Sequence, residues 1–500
     1  MPEPSAMPID LGARFDNAYA RLPEQLFSRV EPTPVARPSL LALNRELAVE
    51  LGLPPERLAS DEAVAVLAGS RSVDGAEPLA MAYAGHQFGH WVPQLGDGRA
   101  ILLGELVDSH GVRREVQLKG AGRTPWSRGG DGRAGIGPVL REYVLGEAMH
   151  ALGVPTTRAL AAVATGETVL RERPLPGAVL TRVARSHVRV GTFQYVAARG
   201  DTEALTALMM HVLEHHYPAL LDADRPALAL LDAVMQRQAA LVAHWMSAGF
   251  IHGVMNTDNC SVLGDTIDYG PCAFMDDFAA DRVFSSIDVQ ARYAWGNQPA
   301  MAHWNTAQLA QCLLPLIDAD KNTSLGLAQA SVDGFDALFS TCWDARLGAK
   351  LGFAAGALED PAQAERIRTL GKDYLGLLQA NEADFTQGFR ALRDIETLRG
   401  LLDTDPAPLE AWWATREALL EETGTDRQAA QATMRANNPV RIPRNHQVER
   451  MIEAATEGDL EPMRALQAAL AHPFDEDPAL AAYERPPTPD ERVQQTFCGT

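Results

Sequence analysis

Residues 252–277 read HGVMNTDNCSVLGDTIDYGPCAFMDD. Asp258 and Asn259 stand side by side, and Asp268 follows after a short apolar stretch. Hard carboxylate and amide oxygens at this spacing suit a Mg²⁺ ion held against phosphate oxygens. The chemistry to expect is attack on phosphorus. Which phosphorus is attacked depends on what surrounds these residues.

Lys119 closes the run VQLKG and is the only lysine before residue 321. Its place after a glycine-containing stretch is similar to the strand lysine of kinases. Glu142, in the next expected helix, could pair with it and hold it against phosphate. Taken singly, both could be surface charges; the order of the later motifs argues otherwise. In QLGDGRAILLGE, residues 94–105, Gly96, Gly98 and Gly104 surround Asp97 and Arg99. Glycine allows close backbone approach to phosphate. The pattern is neither a Walker A loop nor G-x-G-x-x-G, and a plain tight turn is its simplest reading. Arg123, Arg128 and Arg133 share a glycine-rich loop with Asp131 and Gly132, and Arg182, Arg185 and Arg189 follow later. Arginine forks grip phosphate oxygens in pairs. Strand alternation would put Arg185 and Arg189 on one face.

The kinase catalytic loop H-R-D-x-x-x-x-N places its base five residues before the Asn. Counted back from Asn259, that position is Val254. Asp258 is the nearest acid and could polarise an incoming hydroxyl. Asp268-Tyr269-Gly270 reads like D-F-G with a conservative aromatic change, which would make Asn259 and Asp268 the metal ligands. His252 is more simply structural. On the residues alone, γ-phosphoryl transfer and a non-catalytic nucleotide-binding scaffold are the competing readings. The displaced acid and the extra arginines disfavour the first; the retained lysine, glutamate and metal ligands disfavour the second.

These groups need elements to carry them. RAILLGELVD and REVQLKGAG are short apolar runs broken by Gly and are expected to pair as a hairpin. Pro138 suits the first turn of a helix over VLREYVLGEAMHALGV. The stretch from Thr156 to Ser186 reads as strands with Gly and Pro turns. LLALNRELAVELGL carries a short helical pattern, and residues 202–248 look helical throughout, with Gly249 as terminator. MAHWNTAQLAQCLLPLI, LEAWWATREALLEE and HQVERMIEAATEGD extend the helical half. Pro and acidic residues enrich the last 30 positions, which suggests a partly mobile tail. The order is α+β: a β-rich first half and a mainly helical second half, fitting two lobes.

Composition narrows the class. A net charge of −21 argues against a nucleic-acid binder, since duplex binding rests on neutralising many phosphates. Five cysteines without a CxxC pair disfavour a zinc or iron–sulfur centre and fit a reducing compartment. No basic-then-apolar leader and no stretch of 18 apolar residues is visible, so a cytoplasmic protein without membrane partners is expected.

The blocks FDNAYARLP, YAGHQFGHWVPQLGDGRAILLGE, VQLKGAGRTPWSRGGDGRA, LREYVLGEAMHALGVPTTRAL, HGVMNTDN, DYGPCAFMDD and NNPVRIPRNHQVE occur in this order. In them the chain closely resembles, over nearly its whole length, the selenoprotein O (YdiU) family of protein nucleotidyltransferases. The resemblance implies a protein-kinase-like (pseudokinase) bilobal fold, with a β-rich N-lobe and a mainly helical C-lobe bearing additional helices. Residues 1–80 would be an N-terminal extension packed on the core, 81–200 the nucleotide-binding region, 201–480 the helical lobe and 481–500 a tail. It implies transfer of AMP from ATP, or UMP from UTP, to Ser, Thr or Tyr hydroxyls of proteins, with release of pyrophosphate. The nucleotide would lie inverted relative to a kinase, exposing its α-phosphate. Asp258 would be the general base, and Asn259 and Asp268 would bind Mg²⁺ or Mn²⁺. Gly96, Gly98, Arg99, Lys119 held by Glu142, Asp131, Gly132, Arg182, Arg189 and Asp268 would line the nucleotide. The resemblance also implies a regulatory disulfide between Cys272 and Cys498.

Overall fold

The computed structural model describes residues 7–402 and 406–497. Its first half is one antiparallel sheet. The strands are β1 (Phe27–Arg29), β2 (Ser39–Leu43), β3 (Leu79–Met81), β6 (Ala100–Val107), β7 (Arg113–Lys119), β9 (Arg158–Leu170) and β10 (Pro174–Ala184). They run in the order β1-β3-β6-β7-β10-β9-β2, with β8 (Ala134–Gly135) added to β10. A separate hairpin, β4 (Gly85–Gln87) with β5 (His90–Val92), stands beside the sheet.

The period of two along a strand decides what each face meets. Ile101 and Leu103 of β6, Val116 and Leu118 of β7, and Val179 and Val183 of β10 are buried against three short helices. These are α1 (Arg45–Glu50), α2 (Pro55–Leu58) and α3 (Asp61–Leu67). The alternate residues Leu102, Ala178 and Leu180 join the main core with Val139, Leu140 and Tyr143 of α4 (Ile136–Ala151). With both faces covered, β6 is apolar nearly throughout. The register pairs Ala100 and Leu180 with Lys119, and Leu102 and Arg182 with Gln117. Lys119, Gln117 and Arg182 therefore share the α4 side of the sheet.

The second half is helical: α5 (Val190–Ala197), α6 (Thr202–His216), α7 (Pro226–Ser247), α8 (Gln298–Ile317) and further helices up to Leu470. Gly249, with φ +72°, ends α7, and its N–H bonds to the Met246 carbonyl. Only glycine takes that conformation without a Cβ penalty. The chain then forms β11 (Phe250–Ile251), which pairs antiparallel with β12 (Ala273–Phe274) and pins both ends of the 252–272 loop.

The β6–β7 hairpin and the α4 helix form as expected, and three local expectations are corrected. The helical pattern over 40–53 is split, because Leu40–Leu43 pair with β9 as strand β2 before Asn44 caps α1 by accepting from the Leu47 N–H. Residues 202–248 are two helices, with Pro218 and Pro226 opening new turns between them. The segment before residue 498 is tied down. It forms 3₁₀ turns at Pro478–Tyr483 and Pro489–Glu491, and Thr496 is buried. The Thr496 N–H donates to the Phe284 carbonyl (2.7 Å), its carbonyl accepts from Ser286 (3.0 Å), and its hydroxyl donates to the Pro271 carbonyl. Among the described residues no helix is long and apolar enough to cross a membrane.

Candidate active site

A cleft of about 750 Å³ opens between the sheet and the 252–272 loop. Gly96, Gly98, Arg99, Lys119, Asp131, Gly132, Arg182, Arg189, Asp258, Asn259 and Asp268 all line it. Glu142 stands behind Lys119, buried on α4 beneath the sheet. Its Oε2 lies 2.5 Å from Lys119 Nζ, and its Oε1 accepts from Arg182 Nε at 2.7 Å. Arg182 also donates to Gln117 Oε1 at 3.2 Å. Two buried cations from neighbouring strands thus share one buried carboxylate. Burial pushes the Glu142 carboxyl up, but the Arg182 and Lys119 charges outweigh it and leave the group below its ordinary value.

Asp268 faces this cation pair, with Oδ1 3.5 Å from Lys119 Nζ. It holds φ at +69°, a conformation uncommon outside glycine and enriched at constrained sites. Burial raises its carboxyl, yet Lys119, Arg182 and Arg99 hold it well below the ordinary carboxylate range. Burial lowers Lys119 in turn, opposed by Asp268 and Glu142.

Asp258 and Asn259 sit in a 3₁₀ turn, Thr257–Asn259. Asn259 Nδ2 donates to the Val254 carbonyl at 3.1 Å, which leaves its Oδ1 as the available acceptor. Arg189 donates to the Asp258 carbonyl (2.9 Å), lies 3.6 Å from Asp97 Oδ1 and stacks over Tyr83. Asp258 is 7% exposed. Gln87 Nε2 donates to its Oδ2 at 3.1 Å, while its buried Oδ1 has no hydrogen-bond partner. Burial pushes this carboxyl up to about 6, against the opposing pull of Gln87 and Arg189. A carboxylate raised by burial in a cleft wall, with acceptor capacity to spare, has the properties a general base needs.

The donor set fits a hard divalent ion. Asp268 offers an ionised carboxylate and Asn259 an amide oxygen, and substrate phosphate oxygens would complete the shell. Among the described residues no group of three or more His, Cys, Asp and Glu is poised for a metal.

Some expectations part from the geometry. Arg185 is not on the face of Arg189; it pairs with Asp265 and donates to the Leu263 carbonyl, outside the cleft. The strand ends at Ala184, and Arg189 instead caps α5, so strand alternation does not extend that far. Asp131 lines the cleft with both oxygens engaged by Arg171, at 2.9 and 3.1 Å. His252 is fully buried, with Nε2 3.0 Å from the Ile267 carbonyl, and serves the loop's shape. Cys272 is buried as a free thiol, raised to about 12 by burial. Cys498 lies outside the described residues, so the implied pairing has no geometry here.

Gln87, Arg171, Gln117 and Tyr83 were not singled out from the sequence. The block YAGHQFGHW carried a usable signal in its two glycines flanking His and Gln within a short run. Arg171, in the β9–β10 turn, resembles any surface arginine in the sequence.

The family model described as "Protein adenylyltransferase SelO" matches residues 10–471. A protein described as "Protein nucleotidyltransferase YdiU" from Rhodopseudomonas palustris (strain BisB5) is 56% identical over 497 residues, covering 97% of this chain and 99% of that protein. One of the same description from Bradyrhizobium sp. (strain BTAi1) is 56% identical over 496 residues, with the same coverage. Another, from Methylorubrum extorquens, is 54% identical over 500 residues, again covering 97% and 99%.

Proposed function

This chain belongs to the SelO family of protein adenylyltransferases, and from that premise we propose how its cleft works. The protein is a nucleotidyltransferase that moves a nucleoside monophosphate, AMP or UMP, onto protein hydroxyls. We read the sheet and the helical half as a protein-kinase-like bilobal fold with a pseudokinase catalytic loop. The division drawn at residues 80, 200 and 480 belongs to that reading.

ATP or UTP is the nucleotide donor, and a Ser, Thr or Tyr hydroxyl is the acceptor. Lys119, Arg182 and Arg189 bring positive charge to the phosphates, with Arg99 and the backbone at Gly96 and Gly98 along the nucleotide and Asp131 and Gly132 at its other edge. Glu142 fixes the first two cations in place, so little reorganisation is needed as charge develops. Asn259 and Asp268 would hold Mg²⁺ or Mn²⁺, which when bound neutralises phosphate charge as a Lewis acid. Asp258 takes the hydroxyl proton while the oxygen attacks the α-phosphorus in line and pyrophosphate leaves.

The observation that carries this reading is the Asp258 carboxylate, one hydrogen bond short, in the wall of the cleft that Lys119, Arg182 and Asp268 also line. The test is intact-mass analysis of an acceptor protein after incubation with ATP, Mg²⁺ and the enzyme. An adenylyl increment, lost in Asp258→Asn, is expected. A phosphoryl increment would overturn the choice of phosphorus.

A further inference from the structure

The hairpin β4–β5 is bound to the turn carrying Asp258 by a closed set of hydrogen bonds. The His86 N–H donates to Thr257 Oγ1 at 2.7 Å, and the Phe88 N–H donates to Asn256 Oδ1 at 3.0 Å. Thr257 Oγ1 donates to Gln194 Oε1 (2.7 Å), and Gln194 Nε2 returns to His86 Nδ1 (2.9 Å). Tyr293 donates its hydroxyl to the same Asn256 oxygen at 2.6 Å. Gln87 and His90 pair across a two-residue turn whose members, Phe88 and Gly89, both have positive φ, 52° and 82°. A bulky residue in that region is held there by its surroundings. Residue 87 is thereby placed with little freedom.

The approach is close. A Cβ on Gly85 would stand 2.7 Å from Asp258 Oδ1, and one on Gly191 would stand 3.2 Å from Asp258 Cα. Glycine at 85 lets the hairpin backbone close on the carboxylate, and glycine at 191 lets α5 close on the Asp258 backbone. Within this enclosure Gln87 Nε2 reaches Oδ2 at 3.1 Å, and Oδ1 has no partner. Gln87 also lines the cleft.

We propose that Gln87 is a positioning residue for nucleotidyl transfer: by donating to Oδ2 it stops rotation of the Asp258 carboxylate and fixes the orientation in which that carboxylate meets the acceptor hydroxyl. This rests on Asp258 being the base. In the step it serves, the acceptor oxygen forms a bond to the α-phosphorus, the bond from that phosphorus to pyrophosphate breaks with its electron pair, and the proton passes to the Asp258 carboxylate. An amide suits the role because it donates a hydrogen bond and brings no net charge beside the base.

The test compares wild type, Gln87→Met, Gln87→Glu and Asp258→Asn, using labelled ATP, Mg²⁺ and an unfolded, hydroxyl-rich acceptor protein. Gln87→Met keeps the side chain's length and removes the donor. Its kcat is expected to fall about ten- to a hundredfold, the usual cost of a misplaced reacting group, with KM for ATP and Tm unchanged. Gln87→Glu, which sets a like charge against Asp258, is expected to lose more than Gln87→Met. If Asp258→Asn is inactive and Gln87→Met stays within twofold of wild type in kcat, the positioning role is overturned and the base is retained. If Asp258→Asn keeps wild-type kcat, the base reading fails and takes this role with it. If Gln87→Met and Gln87→Glu lose ATP binding and thermal stability to the same extent, Gln87 is only a structural member of the hairpin and the proposal is overturned.

Discussion

Glu142 answers two buried cations at once, and among the described residues neither has another carboxylate within 3 Å. Substituting Glu142→Gln keeps the shape and removes the charge that both cations share. Breaking one side of a buried ion pair costs about 3–5 kcal/mol, because the partner stays buried without compensation. Denaturant unfolding should show a loss of that order, and titration with ATP should show weaker binding, since Lys119 and Arg182 lose their tether together. Lys119, Glu142 and Asp268 were readable in the sequence, because each type is unusual at its spacing and their order matches a known arrangement. Arg182 and Arg189 came from the family resemblance, while strand alternation alone grouped Arg185 with Arg189. That grouping fails because β10 stops at Ala184, an end set by pairing with β7 and β9.

Arg141 links two elements. It sits on α4 beside Glu142, and its guanidinium donates to the carbonyls of Gly270 (3.1 Å) and Cys272, immediately after Asp268. The helix that positions the cations is thereby tied to the loop that carries Asp268. Arg141→Lys keeps a charge but loses the planar fork. It should raise the KM for metal–nucleotide several-fold and lower stability by about 1–3 kcal/mol, the cost of buried carbonyls left unpaired. Steady-state kinetics and denaturant midpoints would check the two effects. Long elements with one clear period were legible: the apolar run Ala100–Val107 as a strand and Pro226–Ser247 as a helix. Leu40–Leu43 was not, because its helical pattern yields to the open edge of β9, a partner more than a hundred residues away.

At the scale of the whole molecule, four histidines, His187, His211, His216 and His244, are held down to about 3 mainly by burial. The unfolded chain titrates near 6.5. Below that pH it binds protons that the folded chain refuses, so stability falls on acidification. Buried Glu105 and Glu115, pushed up by burial, act in the opposite sense. A single substitution isolates the effect: His211→Phe should lose about 2 kcal/mol less than wild type between pH 7 and 5, measured by urea unfolding at each pH. The division into a β-rich and a helical half was legible from the order of periodicities. The stitching between distant segments was not, since no local pattern announces a partner across two hundred residues. Thr496 is the clearest case. Its hydroxyl bonds to the Pro271 carbonyl, 225 positions earlier, three residues past Asp268. On the ribosome the 252–272 loop is made long before Thr496. Throughout synthesis of the helical half, the nascent chain carries the 252–272 loop without this contact. The two segments meet only after the 225 positions between them have been made, so this contact cannot guide the early folding of the loop it touches.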